Sequence, residues 1–66
     1  MDIRKMLTDS LYNWRYANNT FDREEARDKI DNLLEFAGYW LTDEEQDEII
    51  EIYDNAMDKA REEGYI

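Results

Sequence analysis

The run Asp43-Glu44-Glu45-Gln46-Asp47-Glu48 places five carboxylates in six residues. Carboxylates at that density can ligate a divalent cation, exchange protons with a substrate, or present negative charge to a partner. A calcium loop of the EF-hand type needs oxygen ligands at alternate positions, a Gly at the sixth and a closing Glu at the twelfth. This run has no Gly and begins a helix, so no dedicated metal site is expected. Paired carboxylates acting as acid and base need a pocket around the substrate, which three short helices seldom enclose. The chain has no His and no Cys. That removes Ser–His and Cys–His nucleophilic catalysis, zinc fingers, disulfides and the Glu-x-x-His centres of di-iron bundles. The sequence therefore points away from an enzyme and calls for no cofactor.

What remains is charge presented to a partner. The 66 residues carry 18 acids and 8 bases, a formal charge of −10. The imbalance is local. Residues 1–33 hold seven acids and six bases, a net of −1, whereas residues 34–66 hold eleven acids and two bases, a net of −9. No Lys or Arg stands between Lys29 and Lys59. Small soluble domains ordinarily carry a net charge of roughly 2–8 in magnitude, so this surface repels itself and does so mostly in its second half. Such a surface also repels nucleic acid and anionic lipid and attracts basic proteins, many of which bind nucleic acids.

The elements that must position these carboxylates can be read from hydrophobic periodicity and end signals. Hydrophobic residues make up 42% and aromatics 14%, with no Pro. That is too apolar for an acidic disordered tail, and the scarcity of β-branched runs argues against a sheet. The expected fold is all-α: residues 1–66 form a single helical domain, a small three-helix bundle with a long acidic third helix. The helices are expected at about 3–18, 23–37 and 43–62. Asp2 can cap the first, whose inner face would carry Ile3, Met6, Leu7, Ser10, Leu11, Trp14 and Ala17, with Asn18 and Asn19 ending it. Asp22 with Glu25 reads as a capping-box variant for the second, with Phe21 and Ala26 at staple spacing. Its stripe is Ala26, Ile30, Leu33, Leu34 and Ala37, and Gly38 suits the position after a helix end. Tyr39-Trp40-Leu41 is then a short apolar link expected to fold back on the core. Thr42 and Glu45 form a capping box for the third helix, Gly64 ends it, and Tyr65-Ile66 would follow as a short hydrophobic tail.

On a wheel of ~100° per residue, the third helix divides. Ile49, Ile50, Ile52, Tyr53, Ala56, Met57 and Ala60 occupy one side. Glu44, Asp47, Glu48, Glu51, Asp54, Asp58 and Glu62 occupy the other, a ridge about 27 Å long at 1.5 Å per residue. Successive i, i+4 acids are spaced about 6 Å apart, close to the roughly 6–7 Å between phosphates along a nucleic-acid strand. Each like-charge pair costs a helix ~0.2–0.5 kcal/mol, and the Lys residues that usually relieve it are missing until the helix end. An acidic helix face is more often simply solvated than a binding surface. Here the absence of interleaved Lys, and the large share of so small a surface that the ridge must occupy, favour binding.

The aromatics admit two readings. Trp14 belongs to the core. Tyr12 and Tyr16, four apart on the other side of the first helix, would either cover Tyr39 and Trp40 or serve as partner contacts, since exposed aromatics are enriched in binding hot spots. Arg4, Lys5 and Arg15 give the first helix a mild basic character that could meet the ridge of a second copy in a homodimer. No run of ~18 apolar residues is present, so no membrane span is expected. Met1 leads directly into Asp2 without a basic and apolar leader, which predicts a cytoplasmic location and an accidental Asn18-Asn19-Thr20 sequon.

In size, acidity and helical content the chain resembles the small acidic inhibitors made by bacteriophages, several of which imitate the charge pattern of DNA. The resemblance covers the overall charge pattern, above all residues 43–62, and rests on no motif. It implies a non-enzymatic inhibitor that binds a basic nucleic-acid-binding protein of a host cell, such as a nuclease, CRISPR effector, restriction enzyme or polymerase, without binding nucleic acid itself. Leu41-Thr42-Asp43-Glu44 is also similar to a helix start found in small helical modulators of bacterial nucleoid proteins. The alternative reading is a helical adaptor or homodimeric assembly module, joined to its partner through Tyr12, Tyr16, Trp40 and Ile52. A halophile-type surface, acidic for solubility alone, is a third.

Overall fold

The computed structural model describes residues 2–64 and contains three helices and, among those residues, no strand: α1 (Ile3–Arg15), α2 (Thr20–Trp40) and α3 (Asp43–Glu62). They form the expected small all-α bundle, with principal extents of 34 × 22 × 15 Å. α1 packs most closely on α2, and α2 and α3 meet least. The chain runs up, down and up. Ile3 and Arg4 lie beside Leu41, Glu45 and Ile49 at one end, while Tyr12 and Tyr16 lie beside Asp22, Glu25 and Ala26 at the other. Each helix contributes one large fully buried aliphatic to the centre, Leu7, Ile30 and Ile49. Ile3, Leu11, Leu33, Ala37 and Met57 surround them, and Trp14, Leu34, Ile52, Tyr53 and Ala56 pack half-buried on this core.

Several helix ends differ from the sequence expectation, each for a local reason. α1 stops at Arg15 and not at residue 18, and the Tyr16 N–H closes its last turn on the Tyr12 carbonyl. The chain must turn early because Asn19 starts α2. Its side-chain oxygen accepts from the Asp22 N–H at 2.8 Å, and its amide nitrogen donates to the Asp22 carboxylate at 3.1 Å. Asn and Asp are equally good N-caps. The choice of Asn19 over Asp22 gains a reciprocal pair of bonds and lengthens the helix by a turn. Phe21 thereby falls inside the helix and stands 73% exposed, so the staple to Ala26 does not form.

α2 also continues through Gly38. That glycine has no left-handed backbone, which among the described residues occurs only at Gly64 (φ 84°) beyond the end of α3. The Leu41 N–H bonds to the Ala37 carbonyl, so the helix closes at Trp40. Tyr39 and Trp40 are therefore helical and point outward, 77% and 74% exposed, instead of folding back on the core. Leu41 alone turns inward. The capping box of α3 is formed as expected: the Glu45 N–H donates to the Thr42 hydroxyl, and the Thr42 N–H donates to the Glu45 carboxylate at 3.1 Å. Ile50 does not join the core and is 51% exposed. It lies ~100° round the helix from the buried Ile49, and one narrow helix–helix contact cannot bury both. The tail Tyr65-Ile66 lies outside the described residues.

Candidate functional site

The seven carboxylates of the ridge are all exposed, but they are not equivalent. Glu48 is ion-paired to Arg4, which reaches across from α1. Asp58 is paired to Arg61, three residues on, at 3.1 Å. Asp54 lines a cleft with Arg27 and Arg61 on the α2 side, where the Arg27 guanidinium donates to the Tyr53 hydroxyl at 2.9 Å. Glu44, Asp47, Glu51, Asp54 and Glu62 have no ion-pair partner among the described residues. With Lys59 and Arg61 near the helix end, the net negative charge is greatest on the first half of α3. The expected continuous rod of about 27 Å is interrupted by guanidinium groups at Glu48 and at Asp58.

The helix start itself is electrostatically ordered. Asp43, Glu44 and Glu45 occupy the first turn, where the helix dipole stabilises anions. The bonds from the Thr42 backbone N–H, and then from its hydroxyl, hold the Glu45 carboxyl below the ordinary glutamate value. Among the described residues no three acids converge on a point where a metal ion could sit. No helix there is long and apolar enough to cross a membrane.

Two of the three bases of α1 are used within the chain. Arg15 ion-pairs with Glu63, just past the end of α3, through a bond from its Nε to the Glu63 Oε2 at 3.0 Å. With Arg4 on Glu48, α1 is tied to α3 near both ends. Of the three bases that the homodimer expectation named, these two arginines are engaged within the chain, and Lys5 has no ion pair among the described residues.

The aromatics of the adaptor reading do not form one patch. The Tyr12 and Tyr16 rings touch, centroid to centroid 4.7 Å. They border an open cleft of about 540 Å³ between α1 and α2 with Asp22, Glu25, Asp28 and Lys29. Tyr12 also borders a smaller groove of about 320 Å³ between α1 and α3, lined by Leu11, Trp14, Ile52 and Ala56. Trp40 lies at the opposite end of the bundle. There its ring stands 6.4 Å from that of Phe36, one turn earlier on α2.

Sequence reasoning missed Met6, Tyr39 and Ile50 as exposed groups, and it placed Trp40 both in a link folded on the core and in the adaptor patch. The signal was available for Tyr39: with Gly38 read as an ordinary helical residue, it lies outside the buried stripe of Ala26, Ile30, Leu33 and Ala37. No protein-family model, curated protein or solved structure matches the chain.

Proposed function

We propose that this protein is a non-enzymatic inhibitor that occupies the cationic nucleic-acid-binding surface of another protein through the outer face of α3. The observation that carries the reading is the run Glu44, Asp47 and Glu51. These carboxylates are exposed, lie a turn apart on a rigid helix and have no ion-pair partner among the described residues. A guanidinium or ammonium group that normally holds a phosphate finds an equivalent anion at a similar spacing. The contact is electrostatic, so it forms quickly and weakens with salt.

The test is competitive capture. Proteins retained from a bacterial lysate by the immobilised chain at low salt should be released by added duplex DNA, and the D47K/E51K double variant should retain none of them. Retention that resists both DNA and the charge reversal overturns the reading.

The α1–α3 groove lined by Leu11, Trp14, Ile52 and Ala56 favours a second reading, a helical adaptor that receives an apolar side chain from its partner. Its partner would bind in a salt-insensitive way and be lost on Tyr12→Ala, with D47K/E51K having no effect.

A further inference from the structure

Tyr39 and Trp40 are the most exposed large hydrophobic residues of the described chain and project from the last turn of α2. Their surroundings are acidic. Glu35 precedes Tyr39 by one helical turn and is exposed on the same side of α2. Asp43 and Glu44 follow Trp40 across the two-residue corner Leu41-Thr42. Chain length alone keeps their Cα atoms within about 14 Å of that of Trp40. Arg4 approaches the same corner, lining a cleft with Leu41 and Glu45, but its guanidinium is held by Glu48. The corner thus offers two aromatic faces, one of them steadied by Phe36, among carboxylates with no free base beside them in sequence.

A second copy of the chain is a poor occupant. It would bring the same acidic corner against this one, in a molecule of charge −10. Charge complementarity selects a cation, and aromatic faces select among cations. A guanidinium is planar and weakly hydrated and stacks on a ring while pairing with a carboxylate, whereas an ammonium remains a strongly hydrated point charge.

We propose that Tyr39 and Trp40, flanked by Glu35, Asp43 and Glu44, form an arginine-selective anchor for a basic, arginine-rich protein segment. The anchor rests on the reading of α3 as the surface for a cationic partner. It adds that the partner's contact at this corner is arginine and not lysine.

The test is a calorimetric titration of the full chain with oligo-arginine and oligo-lysine peptides of equal length. The native chain should bind oligo-arginine about 5-fold more tightly than oligo-lysine, the upper end of what one exposed cation–π contact contributes. The Y39L/W40L variant keeps apolar bulk and removes the ring faces. It should bring that ratio below about two while leaving oligo-lysine binding unchanged, and circular dichroism should show the helical content retained. A Y39A/W40A variant should give the same ratio. D47K/E51K should weaken both peptides together. An arginine preference that survives removal of the rings, with D47K/E51K still weakening both peptides, overturns the anchor and leaves the acidic face standing. Equal binding of both peptides by native chain and D47K/E51K overturns the acidic-face reading itself. Sedimentation showing a dimer that Y39L/W40L dissociates overturns the anchor in favour of self-association.

Discussion

Arg4 on α1 and Glu48 on α3 are ion-paired across the bundle, although 44 residues separate them in the chain. The pair removes one carboxylate from the acidic face and ties the first turn of α1 to the second turn of α3. It sits where both side chains remain about half exposed, so its contribution to stability is modest while its effect on the surface charge is direct. Arg4→Gln should therefore change the unfolding free energy by no more than ~0.5 kcal/mol. It should also free Glu48 and strengthen low-salt binding of an oligo-lysine peptide. Chemical denaturation and calorimetry check the two halves separately, and weakened binding would show that Glu48 is not part of the interacting face.

Gly38 stands inside α2 with ordinary helical backbone, and a Cβ added there would meet nothing within 4 Å. Glycine in a helix interior is worse than alanine by about 1 kcal/mol. Gly38→Ala should stabilise the chain by ~0.5–1 kcal/mol, which for a domain of this size is a rise of roughly 4 °C in melting temperature. A fall in melting temperature would mean that α2 breaks at Gly38, as the sequence alone suggested.

Glu45 carries a pH signature. Its carboxyl lies below the ordinary glutamate value because the Thr42 N–H and hydroxyl donate to it. A group with a lowered folded-state pKa contributes stability above the unfolded-state value, and that contribution disappears as pH falls through the folded-state value. The advantage of the native chain over Glu45→Gln should be full at neutral pH, then shrink and vanish as the pH falls below about 4. Thermal melts of both proteins between neutral and acid pH measure it. The comparison with the variant matters, because acidification also relieves the repulsion of a chain of charge −10 and acts in the opposite direction.

Ile49 is the largest side chain that α3 buries fully. Ile49→Ala should cost about 2–5 kcal/mol. A single core of this size supplies only about 3–5 kcal/mol without a disulfide or metal, so the variant should be largely unfolded at room temperature. Its exposed neighbour Ile50 should tolerate alanine within ~0.5 kcal/mol. Equal losses at the two positions by far-ultraviolet circular dichroism would contradict the burial seen here.

The local features of this protein were legible in the sequence because their causes are local. Leu7, Ile30 and Ile49 follow from apolar spacing, and the Thr42–Glu45 box follows from two residues three apart. The acidic outer face of α3 follows from the wheel. Where two local signals competed, at Asn19 against Asp22 and at Gly38, propensity could not choose, because both options are good caps by themselves. The structure resolves each toward the longer helix. What the sequence could not contain is which charges cancel. Arg4 meets Glu48 and Arg15 meets Glu63 only because α1 and α3 run side by side, a juxtaposition decided by packing of the core and invisible to any short window. That packing takes Glu48 out of the unpaired acids of the ridge, whereas the concentration of negative charge on the first half of α3 follows from the sequence, in which Lys59 and Arg61 stand near the helix end. It also leaves Tyr39 and Trp40 in water, because Ala37 is buried and Leu41 packs against the core.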